Sequence, residues 1–126
     1  MTLQDQMKRF LDVTPGIDIL AYGDLSSGLI LNSASRSACP REVLDLIGEK
    51  ATACFSQLYP DSLARANEAS GSDATILHFT ERDMQIFVRT PGNVEEVICA
   101  VCSPGAELKP LLGAVQDLVG RLAVPE

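Results

Sequence analysis

The chain opens with apolar residues at Leu3, Met7, Phe10 and Leu11, an i, i+4, i+7, i+8 spacing that lines one face of a helix. That helix is expected to end before Pro15 and Gly16, because proline restricts the residue before it and glycine readily takes the following turn. The pattern then changes to that of strands. Ile17 to Tyr22 and Leu29 to Ser33 read as two arms of a hairpin joined by Gly23, Asp24, Leu25, Ser26, Ser27 and Gly28. Gly28 is expected to supply a positive backbone angle near the tip, and a connection this long leaves the register open.

Pro40 stands where a first helical residue belongs, and Val43, Leu44, Ile47, Ala51, Cys54, Phe55 and Leu58 continue as one apolar face. Asp45, Glu49, Thr52 and Ser56 take the opposite side. Leu46 and Ala53, seven residues apart, fall together on a flank beside Lys50 and Gln57 that the apolar face does not include. Pro60 ends this second helix, Asp61 suits the cap of a short turn from Leu63 to Ala66, and Asn67 to Asp73 read as loop. Ala74 to Thr80 and Met84 to Thr90 form a second hairpin around Glu81, Arg82 and Asp83, closed by Pro91 and Gly92.

Val97 to Cys102 is apolar on both sides of a pleat, which predicts a central strand covered on both faces. After Ser103, Pro104 and Gly105, a final helix carries Leu108, Leu111, Leu112, Val115, Leu118, Val119 and Leu122 as a broad stripe, with Pro110 tolerated in its first turn. The order is α-β-β-α-β-β-β-α, without a repeat or a dividing linker. Short connections between strands imply antiparallel pairing, and three amphipathic helices around a doubly apolar strand imply helices on both faces. The expected fold is therefore α+β, a five-stranded antiparallel sheet sandwiched by helices, in a single domain over residues 1–126.

Composition narrows the function. The 126 residues are 46% hydrophobic and 21% charged, enough to bury a core without disulfides or metal. Seventeen acidic against ten basic residues give a net charge of −7, which disfavours phosphate backbones and anionic lipid, and the lack of tryptophan with only two tyrosines removes most stacking platforms, so no nucleic-acid partner is expected. Asp5, Lys8, Arg9 and Asp12 interrupt the N-terminal apolar residues, so neither an export signal nor membrane insertion is expected. The reading is a cytoplasmic protein with reduced thiols at Cys39, Cys54, Cys99 and Cys102.

Each candidate for chemistry meets an obstacle. Cys99 and Cys102 form a C-x-x-C, yet residues three apart on a strand face opposite ways and cannot share one metal. Cys39, at the expected start of the second helix, could gain thiolate character from the helix dipole, but no resolving cysteine or adjacent base accompanies it, and a weak cap is the plainer role. His78, the only histidine, alternates with Ile76 and Thr80 on one strand face and suits a half-buried or interface position, where it could sense pH. Ser26 and Ser27 do not form a nucleophile elbow, the glycines match no dinucleotide or phosphate loop, and Glu95 and Glu96 would point apart. No catalytic residue, metal or cofactor is expected, and the chain reads as a binding protein rather than an enzyme.

With this element order in place, the chain resembles the roadblock/dynein light chain superfamily. The likeness lies in the initial helix, in IDILAYGDLSSGLILNS as an opening hairpin, and in MQIFVRTPGNVEEVICAVCSPGAELKPLLGAV as the last strands running into the final helix. The resemblance implies a roadblock/profilin-like domain that dimerises through its middle helix and third strand, and that serves as a scaffold or regulator of a small Ras-like GTPase or a motor complex. Carried onto this sequence, the interface would hold Leu46 and Ala53 on the helix and Ile76 and His78 on the strand. The polar insert from Pro60 to Asp73 and the loose opening turn depart from the family pattern. The competing reading is a PAS-, GAF- or profilin-like sensor with a small molecule held between sheet and helix.

Overall fold

The computed structural model describes residues 2–58, 75–89 and 96–123. Its elements are α1 (Leu3–Val13), β1 (Ile17–Asp24), β2 (Leu29–Ser35), α2 (Arg41–Leu58), β3 (Thr75–Phe79), β4 (Met84–Arg89), β5 (Glu96–Cys102) and α3 (Leu108–Ala123). The expected order holds throughout, and the boundaries differ from the expected ones by no more than two residues where both are defined. The expectations for Pro60 to Asp73, for Pro91 and Gly92, and for the side chains of Gln57, Leu58 and Leu122 lie outside the described residues.

Local chemistry explains where elements start and turn. Thr2 caps α1: its hydroxyl accepts from the Asp5 amide at 3.2 Å, and the Asp5 carboxylate accepts from the Thr2 amide at 3.4 Å. Gly28 takes φ +74° at the β1–β2 turn and donates to the Asp24 carbonyl at 2.8 Å. At the same tip the Asp24 carboxylate accepts from the Ser26 hydroxyl at 2.9 Å and the Ser27 hydroxyl at 3.0 Å, bonds that hold its pKa below the ordinary range. The hairpin register, open in the sequence, contains a bulge: Tyr22 stands opposite Asn32 and Gly23 opposite Ile30, which leaves Leu31 as the extra residue.

The strands lie in the order β2-β1-β5-β4-β3, and every neighbouring pair is antiparallel. β5 is central, and its alternating residues enter two separate cores. On one face α1 and α3 pack Met7, Phe10, Val115 and Val119 against Leu20, Ile86, Ile98, Ala100 and Cys102. On the other, α2 packs Leu44, Ile47, Ala51 and Phe55 against Ala21, Phe87, Val97 and Cys99. Helices therefore cover both faces, as the doubly apolar β5 requires.

Two contacts fix the helices on this sheet. Arg36, just past β2, donates its Nε to the Ile17 carbonyl at 2.7 Å and its Nη2 to the Thr14 carbonyl at 2.7 Å and to the Leu11 carbonyl. One guanidinium thus binds the Leu11 carbonyl in the last turn of α1 and the carbonyl of its C-cap Thr14, and ties that helix to β1. Gly48 in α2 lies so close to the hairpin tip that a Cβ there would sit 2.3 Å from the Gly28 carbonyl oxygen. Thr52, one turn on, donates to the Gly48 carbonyl at 2.9 Å and also faces Gly28.

The hairpin tip corrects the reading of α2. Thr52 is partly covered by the tip rather than on a solvated side, while Val43 is 36% exposed and Cys54 only half-buried. The inner stripe of α2 is accordingly Leu44, Ile47, Ala51 and Phe55.

Candidate interaction surface

The outer side of α2 carries Val43, Leu46, Lys50 and Ala53 at spacings of three, four and three residues, all exposed. These are the spacings of a coiled-coil seam, and Leu46 in it is 64% exposed. The ion pair of α2, Arg41 Nε to Asp45 Oδ1 at 3.1 Å, lies beside this stripe in the first turns and is open to solvent on both partners. A single exposed leucine is ordinary; a leucine flanked at helical spacing by valine and alanine is a surface that a second helix can bury.

Among the described residues β3 is an edge strand, with a ladder to β4 on one side only. Its residues alternate between the two faces. Ile76, 5% exposed, belongs to the core beneath α2, and His78 is half-buried on that same face. Ile76 therefore reaches a partner only through the strand's backbone. Leu77 at 36% and Phe79 at 62% exposure lie on the opposite face, where no sequence signal marks them as exposed. Every position of this strand is apolar or ambiguous, so its exposed residues emerge only once strand order makes β3 an edge.

The register sets His78 directly across from Gln85. Gln85 gives its amide to Asp83 at 3.4 Å, while its buried carbonyl oxygen has no hydrogen-bond partner among the described residues. Arg89, at the end of β4, is 5% exposed and holds its guanidinium 5.3 Å above the Phe55 ring. The C-terminal half of α2 thus reaches across to β4, and the α2 stripe and the core-side residues of β3 belong to one side of the sheet.

The thiols are arranged for packing. Cys99 and Cys102 enter opposite cores, as residues three apart on a strand must. Burial raises both thiol pKa values, that of Cys102 to about 11 with a contribution from Asp18 and Asp83. Cys39 packs against the α2 core, and burial raises its pKa too, the opposite of a helix-activated thiolate. Its sulfur lies 3.9 Å from the Pro40 carbonyl as a weak donor, so it does not act as an N-terminal cap.

Two solvent-open grooves are lined by described residues. One, of about 320 Å³, runs between α1 and α3; the other, of about 350 Å³, lies beside α1 at Lys8, Asp12 and Arg36. Neither is the enclosed space between sheet and helix that a PAS- or GAF-like sensor uses.

No family model and no curated protein matches the chain. Solved structures do. The roadblock/LC7 domain from Streptomyces avermitilis superposes with a TM-score of 0.75 at 10% identity, covering 97% of this chain and 95% of that one. MglB from Myxococcus xanthus gives a TM-score of 0.68 at 14% identity, covering 95% and 90%. Profilin IB from Acanthamoeba castellanii gives 0.64 at 16% identity, covering 97% of each chain. At these identities the likeness is one of fold, and it agrees with the element order and sheet topology above: the chain has the roadblock/profilin-like α+β fold.

Proposed function

We propose that residues 1–126 act as one non-catalytic, homodimeric interaction module that scaffolds or regulates a signalling partner such as a small Ras-like GTPase. The observation that carries this reading is the apolar stripe Val43, Leu46 and Ala53 on α2, set on the same side of the sheet as His78 and the core face of the edge strand β3. A second copy related by a two-fold axis would pair β3 with β3 and bring the two stripes together, which removes an open edge and covers the exposed leucine in one step. Interfaces of this isologous kind are stable when they bury on the order of 1,200–2,000 Å² in total. The likeness to a roadblock/LC7 domain supports this role, and the burial of the thiols in packing positions speaks against chemistry at the cysteines.

Light scattering at tens of micromolar tests the dimer. The expected result is a dimer that Leu46→Glu converts to a folded monomer. A wild-type chain that remains monomeric, or a variant that dimerises unchanged, would count against this interface. The nucleotide dependence of proteins recovered with the wild-type dimer then tests the GTPase partner.

A further inference from the structure

The groove between α1 and α3 lies on the opposite face of the sheet from α2, so dimerisation through α2 and β3 leaves it open. Its floor is apolar: Phe10, Val13 and Leu118 line it, and Val13 is 71% exposed at the end of α1. Gln6, Arg9 and Arg121 complete the lining. Arg9 makes no hydrogen bond or ion pair among the described residues, and Arg121 meets only its own helix neighbour Asp117, at 3.7 Å between exposed side chains.

Cations are scarce in this chain, ten against seventeen acidic residues, yet two guanidiniums flank this one apolar groove. That charge pattern is the complement of carboxylates beside bulky apolar side chains. The net charge of −7 argues against an anionic lipid surface as the occupant. A volume of about 320 Å³ accommodates one or two large side chains and is at the small end for a whole cofactor.

We infer that the α1–α3 groove is a second binding site, which takes an acidic peptide segment of a partner protein. A leucine- or phenylalanine-sized side chain fills the space over Phe10, Val13 and Leu118. Flanking Asp or Glu carboxylates bond Arg9 and Arg121, displacing the loose Asp117 contact, and Gln6 is placed to bond the peptide backbone. Each protomer carries one groove, so a dimer offers two, and a partner with two such segments gains avidity from both.

A random-peptide phage library panned against the full chain, followed by fluorescence anisotropy on the selected peptides, tests this. The expected peptides combine Leu or Phe with neighbouring Asp or Glu. Their affinity falls roughly tenfold in Arg9→Glu/Arg121→Glu, the combined effect of two exposed ion pairs, and falls also in Val13→Asp. Both variants should keep the wild-type melting curve and dimer state, and the charge-reversed variant should prefer the same peptides with Lys in place of Glu.

Selected peptides without acidic residues, or binding unchanged by charge reversal, would overturn the inference. Peptides lost instead with Leu46→Glu would move the site to α2. Charge-dependent binding of laurate without any peptide would make the groove an acyl-carboxylate site. Self-association abolished only by the groove variants would assign it to a second copy. Because Leu46→Glu acts on the opposite face, failure of the dimer and failure of this site give different results.

Discussion

Gly48 is the residue at which the packing of α2 can be tested most sharply. In an ordinary helix interior, alanine is favoured over glycine by about 0.8–1.0 kcal/mol. At Gly48, however, the added Cβ would stand 2.3 Å from the Gly28 carbonyl oxygen and 3.2 Å from its carbon, both backbone atoms that cannot rotate away. Reaching ordinary contact requires α2 and the hairpin tip to separate by about 1 Å, across a core where Ala51 and Phe55 are 0% and 1% exposed. Overpacking of that kind typically costs about 1–3 kcal/mol, and the upper end applies where both sides are backbone. The net expectation for Gly48→Ala is about 2 kcal/mol of destabilisation. Gly113 in α3 is the control, because a Cβ there meets nothing within 4 Å, so Gly113→Ala should gain up to about 1 kcal/mol. At roughly 4 °C per kcal/mol for a chain of this size, thermal melts should show Gly48→Ala falling by about 8 °C and Gly113→Ala rising by a few. If both variants moved the midpoint in the same direction, or Gly48→Ala melted at or above wild type, the close approach of helix and hairpin would be refuted.

Three further outcomes follow from the same geometry. Arg36→Met removes three donors from the carbonyls of Leu11, Thr14 and Ile17 and should lower stability in urea by about 2–3 kcal/mol, with Arg36→Lys restoring only part of it. Burial, aided by the hydrogen bond to Glu96 and by the Glu96 and Asp24 charges, pushes the Tyr22 pKa up to about 12. The folded chain therefore holds that proton more tightly than the unfolded chain, so this contribution is intact below about pH 10 and is lost as pH rises towards about 12. A phenolate absorbance titration in a Tyr59→Phe background should show the raised value, and Glu96→Gln should bring it part of the way back. Alkylation of the native protein should leave Cys99 and Cys102 protected and modify Cys39 no faster than a free thiol; rapid modification of Cys39 would contradict its raised pKa.

The elements were legible because each carries a one-dimensional signal. The stripe Leu3, Met7, Phe10, Leu11 became α1, and the unbroken apolar run of β5 became the central strand with Cys99 and Cys102 in opposite cores. What stayed hidden depended on contacts between distant residues. Nothing near Arg36 in sequence shows that its guanidinium reaches back to α1. Gly48 is an unremarked helix glycine until the hairpin tip is placed against it. Val43 carried the right period for the inner stripe, but the hairpin tip and sheet set the rotation of α2 and left Val43 outside. The flank bearing Leu46 and Ala53 was visible as a remainder, the part of the wheel that the inner stripe does not use.

That remainder is now tied to a rigid support. Successive residues of a helix are turned by about 100°, so Leu46 lies about 200° around α2 from Gly48. The contact that locks α2 against the hairpin is therefore nearly opposite the stripe proposed as the interface. A helix pinned at its back presents its front in a fixed orientation, which lowers the ordering cost of association. It follows that Gly48→Ala should weaken self-association as well as stability, although Gly48 is buried and cannot touch a second copy. Measured at a temperature where the variant remains folded, the dimer midpoint by light scattering should shift to higher concentration, while Gly113→Ala leaves it in place. An unchanged midpoint in a destabilised Gly48→Ala would separate the hairpin contact from the proposed interface and refute this coupling.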